Sequence, residues 1–449
     1  MTSAEAHAAR GARLRAAIAA ASAGAPLGLA KRTSNLFRDR AEGRKHRLEL
    51  GDFRHVLAVD AAAGWVDVEG LATYEVLVDA TLPHGVMPAV VPQLKTITIG
   101  GAAAGVGIEA TSFREGLVHD TLLELEVLLP AGDVVVATPD NEHRYLFYGF
   151  PNSYGTLGYA LRLKARTRPV ERFVRVEHRP FGDAGAFFAA LDAACAAPAS
   201  DFVDGVVFGR GDHVLSVASF VDDAPHTSDY TFERIYYRSL KTTPVDFLAT
   251  RDYLWRWDTD WFWCSKNVGA QHPLVRRLLG RGRLNSRTYT KNMRFNSRWG
   301  FTRAWSALRG LHPESVIQDV DIPLPRAAEF LDFLLAEIGI VPIWICPIRP
   351  ADATHPFTLY PLTTGVRYVN FGFWDVMPSR QAHPPGHFNR LVEREAIALG
   401  GIKSLYSDSF FTRDEFERAY GIERYRALKA RYDPDRRALD LYDKVVLRR

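Results

Sequence analysis

The stretch TIGGAAAGVGIEATSFREG, residues 98–116, places Gly100, Gly101, Gly105, Gly107 and Gly116 within seventeen residues. This run constrains the fold more tightly than any other. Glycine opens backbone conformations closed to other residues and lets amides turn toward an anion or approach a second segment closely. The segment therefore reads as a set of tight turns or as a cradle for a ligand, and the glycines alone support both. Two cradles are excluded. Gly105 and Gly107 begin a GxGxxG pattern, but Ala110 stands where the third glycine belongs, and no ribose-binding acid is placed as that fingerprint requires. No GxxxxGK[ST] phosphate loop occurs either.

The flanking sequence alternates in a way that predicts strands. HVLAVD and WVDVEG surround an AAAG turn, TYEVLVDATLPHG has helical spacing closed by Gly85, and LLELEVLLPAGDVVVATP reads as two strands about an Ala-Gly-Asp turn. YLFYGFPNSYGTLGYALRLKART predicts a short helix, a glycine-bearing loop and a strand. Near Val170 the texture changes to a second α+β unit. It opens with FVRVEHRPF, a helix AFFAALDAAC and a hairpin turning at Arg210-Gly211-Asp212. A helix over PRAAEFLDFLLAEIG, strands VPIWICPI and VRYVNFGFWD, and a helical tail with a capping box at Thr412–Glu415 follow.

A chain of 449 residues fits two domains. Its longest apolar runs fall short of the ~18 residues that suggest a membrane-spanning helix. Three widely spaced cysteines, Cys195, Cys264 and Cys346, form neither a disulfide framework nor a CxxC site, which fits a reducing interior. The fourteen histidines show no HxxxH or HExxH spacing, so no metal is expected. The N-terminal Arg10, Arg13 and Arg15 with AAIAAASAGA predict an amphipathic or frayed helix rather than a signal peptide.

Two features converge in the second unit. Six of the eleven residues from Tyr253 to Trp263 are aromatic, among them Trp255, Trp257, Trp261 and Trp263. Between Asp260 and Glu314 no acidic residue occurs, while eleven lysines and arginines do, including Arg276, Arg277, Arg281 and Arg283. Positive charge concentrated in this way selects anionic partners such as phosphate or lipid head groups. Aromatics among basic residues also suit nucleic acid, but the blocks described next argue against it.

VVPQLKTITIGGAAAGVGIEATSFREGLVHDTLLELEVLLPAGDVVVATP and YLFYGFPNSYGTLGY resemble the FAD domain of the vanillyl-alcohol-oxidase (PCMH-type) superfamily, in its Δ24-sterol reductase-like branch. VIQDVDIPL, VPIWICPI, LYSDSFFTRDEF and LYDKV continue the likeness, which runs from about Arg32 to the C-terminus. LAKRTSNLFR and NSYGTLGY are similar to actinobacterial reductases of methylene-branched fatty acyl chains, as in tuberculostearic acid synthesis. The resemblance implies an α+β fold. An N-terminal extension would occupy 1–28, a two-part FAD-binding domain 29–172, an α+β cap with an antiparallel sheet 173–404, and a segment returning to the FAD site 405–449.

It also implies noncovalent FAD. The family's contacts map onto Pro92, Thr98, Gly100, Gly101, Gly105, Gly107, Ile108, Ser112, Gly116, Gly155, Thr156 and Gly158, with Lys31, Thr33, Ser34 and Asn35 where the pyrophosphate loop belongs. The usual glycine-rich, often His-bearing loop is missing there, hence no covalent flavin link. The expected reaction reduces an isolated C=C of a lipid chain, foremost the methylene group of a phospholipid acyl chain, with NADPH as donor. An unconjugated alkene offers no carbonyl to draw in hydride, so protonation must come first. That requires an acid kept protonated, a dry pocket and aromatic faces to stabilise the developing cation.

The acid is expected at Tyr406 or Asp408, then Asp319 or Glu109, and Lys444 is expected near the flavin edge. Trp255, Trp257, Trp261, Trp263, Gln318 and Trp344 would line the substrate, and Arg276, Arg277 and Arg281 would hold its head group. An anionic membrane surface, a partner methyltransferase and a cytoplasmic location at the inner face of the membrane complete the expectation. The alternatives are a sterol side-chain reductase, an alcohol oxidase, or a non-catalytic lipid-binding protein.

Overall fold

The computed structural model describes residues 3–19, 27–30, 46–299, 309–351 and 355–448. Leading strands β1 (Leu27–Leu29) and β2 (His46–Leu48) pair in parallel. A six-stranded sheet follows. It holds β3 (Val56–Asp60), β4 (Trp65–Glu69), β5 (Val86–Pro88), β6 (Leu122–Leu128), β7 (Val134–Ala137) and β8 (Tyr159–Pro169), in the order β3-β4-β8-β6-β7 with β5 also on β8. The expected hairpins and the helix Tyr74–Thr81 form as the alternation dictates, and Gly85 takes the left-handed conformation (φ 71°) after a short 3₁₀ turn. The N-terminal helix Ser3–Ala19 buries His7, Gly11, Leu14 and Ile18 against this unit.

The second sheet has eight strands: β9 (Phe173–Phe181), β10 (Phe202–Gly209), β11 (Asp212–Val221), β12 (Val245–Ala249), β13 (His312–Pro323), β14 (Ile343–Ile348), β15 (Tyr368–Ser379) and β16 (Ile402–Lys403). Their order is β12-β9-β11-β10-β14-β15-β13-β16, and every recorded pairing is antiparallel. A period-2 strand gives each face its own residues. Val203, Leu215, Val316, Val320, Ile345 and Phe371 share a core with Phe187, Phe330 and Val392 of the helices Ala184–Ala196, Ala327–Phe333 and His387–Ala398. The opposite face carries Asp204, Trp344, Asp319, Asp321, Asn370 and Gly372. Its apolar residues belong to a second core that also contains Val66, Leu125 and Leu163 of the first sheet and Phe416 and Tyr425 of the C-terminal helices.

The C-terminal helices Arg413–Ala419, Ile422–Tyr432 and Leu441–Val445 return to the first unit. The Thr412–Glu415 capping box forms as expected. Lys429 Nζ donates to the Thr156 carbonyl at 2.8 Å and Lys444 Nζ to the Tyr154 carbonyl at 2.6 Å, tying this tail to the loop 150–158. Among the described residues no helix is long and apolar enough to cross a membrane.

Candidate active site

The glycine segment folds into a one-and-a-half-turn helix, Ile99–Ala104, capped by Thr98, then a tight turn. Much of the glycine requirement comes from the chain packing on itself. A Cβ at Gly100 would lie 2.6 Å from the Gly70 carbonyl oxygen, and one at Gly158, already at φ 132°, 2.4 Å from that of Leu128. Local turns also engage three hydroxyls expected at the cofactor. Thr98 accepts from Gly101 N (3.2 Å), Ser112 accepts from Glu109 N (3.1 Å), and Thr156 donates to the Ser153 carbonyl (2.8 Å). Pro92 is buried and Ile108 half-buried alongside. Lys31, Thr33, Ser34 and Asn35 lie outside the described residues.

The loop after Phe150 is wound unusually. Asn152 (φ 61°), Tyr154 (φ 50°) and Gly155 (φ 78°) are all left-handed, which costs a non-glycine residue on the order of 1–2 kcal/mol. Asn152 Oδ1 and Ser153 Oγ are buried there with no hydrogen-bond partner among the described residues, as are Gln93 Oε1 and Glu109 Oε2. Each such atom costs about 1–3 kcal/mol unless a further group satisfies it. The two turns thus present acceptors to an occupant that carries donors.

From this junction a line of side chains runs across the inner face of the large sheet. Glu109 is buried, its carboxylate receiving the Gln93 amide, with Arg256 Nη2 at 3.4 Å. Arg256 also donates to Asp204 at 2.8 Å, and Trp344 Nε1 approaches the same carboxylate at 3.3 Å. Burial, only partly opposed by the Arg256 charge, pushes the Glu109 carboxyl up to about 7. Trp344 packs on Phe262 (5.5 Å between centroids), Phe262 on Trp374 (5.0 Å), and Trp374 on Trp263 (5.5 Å). Trp374 Nε1 donates to the Tyr406 hydroxyl at 3.1 Å.

Tyr406 is in turn hydrogen-bonded to Asp319. Asp319 lies on β13 directly across from Gly372 of β15, which lies across from Trp344 of β14. The glycine is required. A Cβ there would come within 2.7 Å of Asp319 Oδ1 and 3.1 Å of the Trp374 ring. Desolvation first, and the neighbouring Asp321 charge second among the raising influences, push the Asp319 carboxyl up to about 8. Burial also raises the Tyr406 phenol well above its ordinary value. Asp319 Oδ1 has no partner among the described residues. Desolvation thus favours the protonated forms of both Asp319 and Tyr406, at the end of an aromatic array.

Several expected residues are placed otherwise. Gln318 faces the opposite side of β13 from Asp319, because neighbours in a strand alternate; it is fully buried and donates to Asn389 Oδ1 of the helix His387–Ala398 at 2.5 Å. Asp408 is paired with Arg448, its Oδ1 3.6 Å from Nε. Arg276 is 1% exposed and donates to Asp260 and to the Phe232 carbonyl, both at 2.6 Å, so it cannot hold a head group.

Arg277 and Arg281 are exposed, paired to Glu233 (3.2 Å) and Asp229 (2.8 Å). Trp255, Trp257 and Trp263 are buried, and Trp257 stacks on Phe262 at 5.1 Å. Trp261 belongs to a separate cluster, stacked on Tyr289 at 6.1 Å. Trp374, Phe262, Arg256 and Asp204 were not singled out as site residues from the sequence. Trp374 alternates with Gly372 and Asn370 in VRYVNFGFWD, and that alternation is the one signal that could have found it.

Known proteins share parts of this sequence. A family model described as an FAD binding domain matches residues 6–138. The Δ24-sterol reductase of Arabidopsis thaliana is 28% identical over 356 residues, covering 74% of this chain and 61% of the relative. The chain carries an FAD-binding-type domain and is similar over most of its length to Δ24-sterol reductases. The Homo sapiens Δ24-sterol reductase is 23% identical over 418 residues, or 89% of this chain and 78% of the relative. Cytokinin dehydrogenase 7 of Oryza sativa subsp. japonica is 30% identical over 126 residues, only 28% of this chain. The chain thus spans about three fifths of the Arabidopsis relative (61%).

FAD fits the residues present. Its flavin ring and ribityl chain carry the donors that Asn152 Oδ1, Ser153 Oγ, Gln93 Oε1 and Glu109 Oε2 lack. Among the described residues no group of three or more His, Cys, Asp or Glu side chains is placed to hold a metal ion.

Proposed function

We propose that this oxidoreductase saturates an isolated C=C of a lipid chain, most specifically the methylene group of a methylene-branched phospholipid acyl chain, leaving a methyl branch. The observation that carries this reading is the hydrogen-bonded Asp319–Tyr406 pair at the end of the ring array, where Tyr406 accepts from Trp374 Nε1. The 98–116 and 150–158 turns would hold FAD, which when bound would supply the hydride, with NADPH as the electron source. The chain's own residues supply the rest. Tyr406 donates its proton to the less substituted alkene carbon and recovers one from Asp319. Trp374, Phe262 and Trp344 offer ring faces to the tertiary cation, worth roughly 0.5–2 kcal/mol per contact by analogy with cation–π pairs. The same rings exclude the water that would trap it. Lys444, hydrogen-bonded to the Tyr154 carbonyl, brings a positive charge to the cofactor turn.

A peripheral position at the inner face of the membrane and a methyltransferase that makes the methylene group belong to the same proposal. The names of the relatives favour a second substrate, a sterol side-chain double bond. Tyr406→Phe tests the chemistry. It should leave reduction of the flavin by NADPH unchanged and slow its reoxidation by lipid about 100-fold or more, as loss of a general acid does. Equal reoxidation rates in mutant and parent would remove Tyr406 from this role. Stopped-flow reoxidation by a Δ24 sterol, beside the methylene lipid, separates the two substrates.

A further inference from the structure

The helix Pro273–Leu279 is built inside out. Its arginine, Arg276, is 1% exposed and bonded to Asp260, Phe232 and Ala270, while Leu274 is 67% and Leu278 83% exposed. Residues four apart share a helix face, so the two leucines form one outward apolar ridge. Arg277 beside them and Arg281 and Arg283 just beyond the helix are exposed. Arg283 has no ion-pair partner among the described residues, and the pairs of Arg277 and Arg281 are surface pairs, of the kind worth only ~0–1 kcal/mol and readily exchanged for other anions.

In water this arrangement wastes the burial of two leucines, about 1.5–3 kcal/mol each. The medium that recovers it is apolar, with anions beside it. Two leucines are too little for a stable protein interface, which needs about 800 Å² per partner, but they suit an element lying in a bilayer interface, where apolar side chains sink among head groups and basic ones meet phosphate.

We propose that Pro273–Leu279 is a membrane-docking helix, inserting Leu274 and Leu278 into an anionic bilayer with Arg277, Arg281 and Arg283 on the lipid phosphates. This deepens the lipid-reductase reading by stating where the enzyme meets the membrane that holds its substrate.

Flotation with vesicles of phosphatidylcholine and phosphatidylglycerol tests it, comparing the FAD-loaded parent with Leu274→Ser/Leu278→Ser. The double change should weaken binding about tenfold or more with the thermal melting point unmoved, since both side chains are exposed. Arg277→Gln/Arg281→Gln/Arg283→Gln should weaken it chiefly at low salt, and pure phosphatidylcholine should bind least. Undiminished flotation of the leucine variant would overturn the proposal. So would a parent that ignores both vesicles but self-associates through these leucines on a sizing column. Turnover of detergent-dispersed lipid separates this inference from the reading beneath it. The leucine variant should keep that turnover. Leucine-dependent flotation with no lipid reduced in any form would leave the docking helix standing and remove the reductase.

Discussion

Asp319 carries the clearest energetic signature of function. Its folded pKa of about 8 lies above the ~3.9 of an unfolded aspartate, so the native state holds a proton that the unfolded chain has released. The sign follows directly. This group's contribution to stability falls as pH rises from about 4 to about 8 and is constant beyond. Asp319→Asn removes that penalty. It should raise stability at neutral pH by about 1–3 kcal/mol while slowing lipid-driven flavin reoxidation, and thermal melting beside stopped-flow absorbance reads both. A variant less stable than its parent at pH 7 would mark Asp319 as an ordinary structural carboxylate. In the parent, the lipid half-reaction should decline as pH rises through about 8, where the acid is lost.

At the scale of elements, the segment bearing Tyr406 is held from beneath by a buried ion pair. Lys403 and Glu393 are 0% and 1% exposed and 3.4 Å apart. Lys403 Nζ donates to the Asp408 carbonyl (2.5 Å) and Ser409 Oγ (2.7 Å), while the Glu393 carboxylate accepts from Phe410 N (3.0 Å). Ser404 N donates to the Asp319 carbonyl at 3.0 Å, which registers the segment on β13. Lys403 is thus a positioning residue for Tyr406. Breaking a buried pair from one side costs about 3–5 kcal/mol, so the informative variant is the neutral double change Lys403→Met/Glu393→Gln. It should slow reoxidation by lipid, leave reduction by NADPH alone, and add little to the loss from Tyr406→Phe. A fully additive loss would mean that the pair acts elsewhere. The aromatic segment shows similar investment. Trp261, Phe262 and Trp263 all have positive φ (47°, 47° and 59°), a run costing on the order of 1–2 kcal/mol per residue that sets Phe262 between Trp257 and Trp374.

Across the whole molecule, one core joins the small sheet, the inner face of the large sheet and the C-terminal helices, and the candidate site lies along that seam. Strands and hairpins were legible because period-2 alternation and turn residues are local. Tyr406, Asp319 and Glu109 drew attention in the sequence as candidate acids and Trp344 as a candidate substrate contact. What joins them was not legible. Whether Gln318 or Asp319 faces the site is a question of strand phase against the rest of the sheet, and Arg276 turns inward only because Asp260 and the Phe232 carbonyl wait there. Trp374 and Asp204 act through partners more than thirty residues away, a separation no motif spans.

FAD on this chain is proposed to pass reducing equivalents to a lipid double bond, with the Asp319–Tyr406 pair as the acid. The most direct measurement reduces the purified flavoprotein without oxygen, adds a methylene-branched phospholipid, and follows both flavin absorbance and lipid mass. The flavin should reoxidise and the lipid should gain two hydrogens, and neither should happen with a saturated lipid. A protein that takes up no flavin, or a reduced flavin that stays reduced beside every unsaturated lipid offered, would contradict it.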